Sequence, residues 1–459
     1  MDKCLILGSD VSKGYAEFTL IGANKETREP VFRLDDDCKG HEALKALLKK
    51  WRAEHRAHRI VFALESSGGY EDNWLRCAKD ASLSAFVHAF RINPKVTRHE
   101  YLAQKRGSID DGVSAQAIAV HVAKNLEDFQ PDERPEDPRL AAARNLVRHL
   151  VSLEKAGTQQ KNALDKLLYR HLSALLPEKP SGWPTYFLEI LARYGAKRSI
   201  LAAARRGFKR IKHVPADKAR KITEALNKGT TPDTLPMDAE AIRSKAKQII
   251  ALEAEIKRLK KLFCAQAPVD QAQVKLLRSI KGMGEYTATV LLCFIEDWSR
   301  FGSAAQMAAF FGVNPRFKKS GDGGYKAKMS KQGNPLVRRE LYLLAFRTIS
   351  QDDYLRAIYA KRRAKGMEHD AALGVLMHKL LRIIYGMLKN GTPYNPGTDQ
   401  LNQALKKEGQ DKPDQTKRDA LRRFQEESPE APVSQRQRKK RKSGHEPQAA
   451  ESAECTGSS

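Results

Sequence analysis

The chain has 459 residues, 41% of them hydrophobic, enough for two or three domains with their own cores. Its 82 Lys and Arg against 55 Asp and Glu leave a formal charge of +27 and a pI near 9.8, far from an ordinary near-neutral cytosolic enzyme. That balance points to a polyanionic partner, the bland alternative being a solvated basic surface.

Residues 3–22 read as two strands around a turn at Gly14, the first an apolar run closed by Asp10 and the second alternating. A shorter strand near Pro30–Leu34 follows. An amphipathic helix from about His41 to Trp51 then carries Leu44, Leu47, Leu48 and Trp51 on one face. The segment IVFALESSGGY gives a strand from about Ile60 that delivers Glu65 at its C-terminal end, and a helix and the strand SAFVHAF precede a helical stretch from Val113 onward. The pattern predicts an α/β domain with a mixed sheet over 1–130, its functional groups at the strand ends.

Pro131, Pro135 and Pro138 mark a linker. Over 131–270 two long helices are expected, the second placing Ile249, Leu252, Ile256, Leu259 and Phe263 at coiled-coil spacing. Between them a compact helical insertion spans about 175–240. Whether the long helices pair within one chain or between chains is left open by the sequence. A third domain over 271–395 is mainly α, and 396–459 reads as a disordered basic tail ending in RQRKKRKSG.

The six cysteines, Cys4, Cys38, Cys77, Cys264, Cys293 and Cys455, show neither CxxC spacing nor histidine pairs, so neither a zinc site nor a disulfide framework is expected. No signal-peptide pattern opens the chain and no run approaches a membrane span in length, which predicts a reduced, cytoplasmic protein without membrane contact.

Asp10 and Glu65 each end a strand predicted to lie centrally in one sheet, so their carboxylates can meet. Paired carboxylates suit Mg²⁺, which takes hard oxygen ligands; two-metal phosphoryl transfer sets two ions about 3.5–4 Å apart. Solvated strand ends are the competing reading. Downstream, LLRSIKGMGEYTATVLLCFIEDW reads as a helix, a turn at Gly282 and Gly284 and a second helix, a helix-hairpin-helix pattern whose amides would face a phosphate. An ordinary αα-turn is the alternative. Ser303 and Gln306 form a capping box for a short helix ending at Gly312. A flexible cationic loop follows, with Arg316, Lys318, Lys319, Lys326, Lys328 and Lys331. Asn334 caps the next helix, Pro335 opens it, and Arg338 and Arg339 lie in its first turns.

The strings GSDVSKGYAEF, ALESSGGY, the Asn93-Pro94 pair and SIDDGVSAQAIA resemble the N-terminal domain of the DEDD insertion-sequence transposases, a group with the Piv-type invertases and the bridge-RNA-guided recombinases. The resemblance covers residues 4 to about 125 and about 274–395. It implies an RNase H-like (RuvC-like) fold for the first domain and a catalytic, metal-holding set of Asp10, Glu65 and Asp111. Aligning the family's following alanine on Ala115 puts Ser114 where a fourth acid is expected, a departure for which Asp110 is a candidate substitute ligand. It also makes Ser320 a nucleophile, with Lys319 a helper, and gives Ser330, in MSKQGN, a role in holding DNA or the active-site loop. The function implied is a DNA transposase or recombinase of an insertion sequence that works through a Mg²⁺-assisted serine. Its partners would be the element ends, target DNA, a noncoding guide RNA in some relatives, and further copies of the chain as a dimer or tetramer. A metal-dependent junction nuclease using water, and a catalytically impaired nucleic-acid-binding relative, are the alternatives.

Overall fold

The computed structural model describes residues 4–66, 68–94, 111–129, 137–180, 182–215, 217–229, 232–318, 326–398 and 400. They fall into two compact units, residues 1–135 and 136–459.

The first unit is built on a five-stranded mixed sheet of order β3-β2-β1-β4-β5. Its strands are β1 (Cys4–Ser12), β2 (Tyr15–Gly22), β3 (Thr27–Asp35), β4 (Arg59–Glu65) and β5 (Val87–Ile92). The first three run antiparallel as a meander, and β4 and β5 add parallel to β1. Pro30 lies in β3, which is an edge strand, where a missing amide donor costs no ladder bond.

Alternation sorts the two faces of the sheet. Leu5, Leu7, Phe18, Phe62 and Leu64 pack with Leu44, Leu48 and Trp51 of α1 (Cys38–Glu54) and Trp74 of α2 (Glu71–Ala78). On the other face Cys4, Ile6, Val61, Ala63 and Ile92 pack with Ile118, Ala119 and Val122 of α3 (Asp111–Lys124). Gly8 is what lets α3 lie against β1: a Cβ there would stand 2.3 Å from the Ala115 carbonyl oxygen and 2.7 Å from the Ala119 nitrogen.

In the second unit α4 (Pro138–His171) and α8 (Pro236–Gln266) pack against each other within the chain. Pro138, expected in the linker, is instead the first residue of α4, with Asp137 capping it. Of the five seam residues, Ile249, Leu259 and Phe263 are buried while Leu252 and Ile256 are half-buried. Between them the helices are joined by polar pairs, Lys245 to Gln160 at 2.7 Å, Lys161 to Glu253 at 2.6 Å and Lys260 to Glu154 at 2.6 Å. The helices α5 (Thr185–Tyr194), α6 (Lys197–Arg205) and α7 (Lys218–Lys228) close a second core around Phe187, Leu191 and Phe208, with Leu164, Leu168, Ile242 and Ile249 from the long helices.

The largest core joins α9 (Gln271–Leu277), α10 (Glu285–Ile295), α11 (Ala304–Phe310), α12 (Pro335–Gln351), α13 (Asp353–Ala364) and α14 (His369–Asn390). Here one expectation is corrected: α14 is long and apolar enough to cross a membrane by length and composition. Its Leu373, Leu376, Leu380, Leu381 and Ile384 are spent on this core.

Candidate functional site

The parallel register between β1 and β4 pairs Gly8 with Ala63 and Ser9 with Leu64, so one further step sets Asp10 beside Glu65. Both are half-buried, and alternation puts them on the face covered by α3. The antiparallel register between β1 and β2 pairs Asp10 with Glu17 on its other side. Glu17 is a carboxylate that the sequence reading missed. Its signal was the alternation of β2, which puts Glu17 opposite Asp10 once the strands are folded about Gly14.

Ile118, Ala119 and Val122 of α3 join the cluster of Cys4 and Ile6, and Ala115 meets Gly8, so the first turn of α3 lies toward the strand end that carries Asp10. Asp111 begins that helix and Ser114 is buried, 7% exposed. Among the described residues no group of three or more His, Cys, Asp and Glu side chains is placed to hold a metal ion. Asp110 and the side chain of Asp111 lie outside the described residues.

The turn after Glu65 is fixed by a second residue the sequence reading did not single out. Glu71, 3% exposed, accepts the Ser66 hydroxyl at 3.1 Å and the Gly69 amide at 2.9 Å, and lies 3.4 Å from the Arg91 guanidinium. The Ser66 amide donates to the Ile92 carbonyl at 3.0 Å, extending the β4–β5 ladder past Glu65. Gly68 and Gly69, at φ of +82° and +111°, allow the tight turn. The strand end bearing Glu65 is therefore held on two sides.

In the second unit the two described ends of the expected flexible loop pair as short strands, a two-stranded ribbon. β6 (Pro315–Lys318) and β7 (Lys326–Met329) pair antiparallel, with Arg316 opposite Lys328 and Lys318 opposite Lys326. Lys319 and Ser320, in the connection between them, lie outside the described residues. The base of the ribbon is clamped backbone to backbone. A Cβ on Gly312 would meet the Gln332 carbonyl oxygen at 2.1 Å, and one on Gly333 would meet that of Phe310 at 2.2 Å. Ser330 donates its amide to Asn314 and accepts the Gln332 amide on its hydroxyl at 3.2 Å, and Lys331, at φ +56°, donates its amide to Gly312.

Arg338 completes this clamp, donating to the carbonyls of Phe311 at 3.2 Å and Gly333 at 2.8 Å; burial holds its pKa below the usual arginine value. Arg339 is likewise engaged by protein. It bridges Glu154 of α4 and Glu340, which is 3% exposed and accepts the Thr287 hydroxyl. Burial and the neighbouring carboxylates of Glu340 and Glu154 push the Tyr286 phenol well above its ordinary range. Asn334 and Ser303 cap α12 and α11 as expected, accepting the Leu336 and Gln306 amides. The turn between α9 and α10 has Gly282 at φ +89° against Arg347 and Gln351, and Gly284 as the N-cap of α10.

Residues 274–360 match the model of the transposase IS116/IS110/IS902 family. An IS110 insertion-element protein of Streptomyces coelicolor is 29% identical over 45% of this chain and 52% of its own length. The pilin gene-inverting protein of Moraxella lacunata is 26% identical over 45% of this chain and 66% of its own. An IS116 insertion-element protein of Streptomyces clavuligerus is 25% identical over 62% and 72%. The chain thus spans about half the length of the first of these relatives. A solved structure of T. thermophilus RuvC in complex with a Holliday junction substrate covers 27% of this chain and 96% of that one, at 12% identity and a TM-score of 0.22. The chain is thus related to the IS110-type insertion-element proteins and the pilin gene-inverting proteins, as its motifs implied, and its residues 274–360 resemble the transposase domain of the IS116/IS110/IS902 family.

Proposed function

We propose that the chain is the DNA transposase or recombinase of an insertion sequence, acting by phosphoryl transfer to a serine. The observation that carries this reading is the β1–β4 register, which brings Asp10 beside Glu65, the last residue of β4; β1 itself runs past Asp10, expected to close it, to Ser12. Two half-buried carboxylates fit a hard divalent cation such as Mg²⁺, and Asp111 begins the helix beside them. When bound, such an ion would supply Lewis-acid stabilisation of charge on the phosphate.

The chain's own residues do the rest in this reading. The RuvC-like first unit presents the carboxylates, with Glu71 keeping the turn after Glu65 in place. In the second unit the clamped ribbon carries Ser320 in its connection. The Ser320 oxygen forms a bond to phosphorus as the bond from phosphorus to a deoxyribose oxygen breaks. The serine proton is lost to a base, the departing oxygen gains one, and the phosphoserine ester keeps the bond for rejoining. Arg316 and Lys328 are direct cross-strand neighbours, a like-charge pairing that disfavours the ribbon until an anion such as DNA phosphate neutralises it. Lys318, Lys326 and Lys331 are further DNA-contacting residues in this reading, Lys319 assists Ser320, and the Gly282–Gly284 turn adds a helix-hairpin-helix contact. Arg338 and Arg339 hold the fold through the groups they engage within the protein and contribute positive charge toward DNA at the start of α12.

The partners in this reading are the element ends and target DNA, a structured noncoding RNA of the element, and a second or further copies of the chain. The test is denaturing electrophoresis of the chain with labelled element ends. Wild type should give a covalent protein–DNA species that is absent in Ser320→Ala, and strand cleavage should disappear in Asp10→Asn and Glu65→Gln while DNA binding persists. Cleavage that survives Ser320→Ala would instead assign a hydrolytic junction nuclease.

A further inference from the structure

The helical insertion between the long helices carries a surface that the proposed chemistry does not use. Where α6 ends, the chain makes a compact turn rather than an open loop. The amides of Arg206 and Phe208 donate to the Ala203 carbonyl, the Gly207 amide to Ala204, and the Ile211 amide to Phe208. Gly207 and Phe208 both have positive φ, +66° and +51°, which a phenylalanine adopts only at some cost. That strain is offset because Phe208, 1% exposed, and Ile211, 8% exposed, are anchored in the insertion's core, with Phe208 against the Tyr194 ring at 6.2 Å. From the neighbouring helix, Arg193 donates to the Arg210 carbonyl at 3.2 Å.

With the apolar residues of this turn directed inward, Arg205, Arg206, Lys209, Arg210 and Lys212 are all exposed. Among the described residues none of the five takes part in an ion pair. Other cations of the insertion do have carboxylate partners: Arg198 with Asp233, Lys218 with Glu178 and Lys221 with Asp217. A merely solvated basic face would be expected to share that local neutralisation. Here the backbone is fixed, the cations are concentrated and no acid among the described residues is placed with them, so their mutual repulsion persists until a polyanion arrives.

We propose that the 205–212 turn is a nucleic-acid backbone-binding surface, separate from the ribbon. It holds phosphates of a double helix without reading sequence, since it offers charge and guanidinium groups but no exposed aromatic ring for stacking. The phosphates come from duplex DNA or from the stems of a folded RNA. The proposal concerns binding alone and is independent of whether Ser320 is the nucleophile.

The test titrates the full-length chain against a random-sequence DNA duplex and, separately, a stem-loop RNA, by fluorescence anisotropy over a range of salt concentrations. In one variant all five cations are replaced by alanine. In another Arg205→Lys, Arg206→Lys and Arg210→Lys keep the charge, and the double variant Lys209→Ala/Lys212→Ala serves if the fivefold change disturbs folding. On duplex DNA the alanine variants should bind more weakly, with a log–log salt slope shallower by about 0.9 for each cation that sits on a phosphate. The lysine variant should keep the wild-type slope. A loss confined to DNA assigns the surface to duplex DNA, and a loss confined to RNA assigns it to RNA stems. Unchanged affinity and slope on both ligands, or a lysine variant as weak as the alanine one, overturns the proposal.

Discussion

Gly8→Ala tests the packing that brings α3 to the acidic strand ends. The added methyl would stand 2.3 Å from the Ala115 carbonyl oxygen, 2.7 Å from the Ala119 nitrogen and 2.8 Å from the Ala119 Cβ. All three lie on one helix, and the two closest are backbone atoms, so relief requires α3 to move outward by about 1 Å as a body rather than a side chain to rotate. Such overpacking costs about 1–3 kcal/mol. The upper end applies here because the same movement loosens Ile118, Ala119 and Val122 from Cys4, Ile6 and Ala63. With a urea dependence of about 2 kcal/mol/M, the midpoint should fall by about 1–1.5 M. The buried Trp51 and Trp74, on the opposite face of the same sheet, give the fluorescence readout. Gly157→Ala is the contrast: Gly157 is helical with nothing within 4 Å of the added Cβ, so alanine should stabilise the second unit by about 0.5–1 kcal/mol. A Gly8→Ala midpoint within about 0.2 M of wild type would refute the close approach of α3 to β1.

Three further outcomes are expected. Glu340→Ala leaves Arg339 and Thr287 without their buried carboxylate and should destabilise the second unit by about 2–4 kcal/mol; a calorimetric melting temperature equal to wild type would show that the network contributes nothing. The Lys45 ammonium, 2.6 Å away, and the Ser82 amide hold the Asp80 carboxyl well below the usual aspartate range, and Asp80 in turn raises Lys45. A lowered carboxyl pKa stabilises above the unfolded value near pH ~4 and is lost on acidification, whereas the raised lysine is lost only at strongly alkaline pH. The melting difference between wild type and Asp80→Asn should therefore be present at pH 7 and shrink below pH ~4; a pH-independent difference contradicts the pair. Burial pushes the Cys77 thiol up to about 11 and Cys293 to about 12, while Cys38 is exposed. Peptide mapping after iodoacetamide treatment at pH 8 should find Cys38 modified and those two intact, and equal labelling of Cys293 and Cys38 would contradict its burial.

The parts of this molecule that follow from local periodicity were legible in the sequence. The alternation through Asp10 and Gly14, the face shared by Leu44, Leu48 and Trp51, and the caps at Ser303 and Asn334 all appear where residue pattern alone puts them. What was missed depends on pairing across distance. Glu17 matters only once the β1–β2 register places it opposite Asp10, and Glu71 only once the turn after Glu65 folds back onto it. The segment read as a loop contains too few residues per strand for a period to show, yet Arg316 and Lys328 pair there. Arg338 and Arg339 look like free cations in a helix's first turns. Only the fold supplies the carbonyls of Phe311 and Gly333 and the carboxylate of Glu154 that occupy them. The length of α8 was legible, but its partner, α4 of the same chain, was not.

The paired long helices also set a length. A helix of 34 residues, as α4 is, spans about 51 Å at 1.5 Å per residue, comparable to about 15 base pairs of duplex. The core that holds α9 to α14 gathers at one end of this pair and the insertion with its basic turn at the other. The separation of those two places is thus counted out in residues of helix rather than left to a linker. Removing one heptad from both helices would shorten it by about 10 Å, or about three base pairs, while keeping the packed faces in phase. The pair is a ruler, and its graduations are written in the chain.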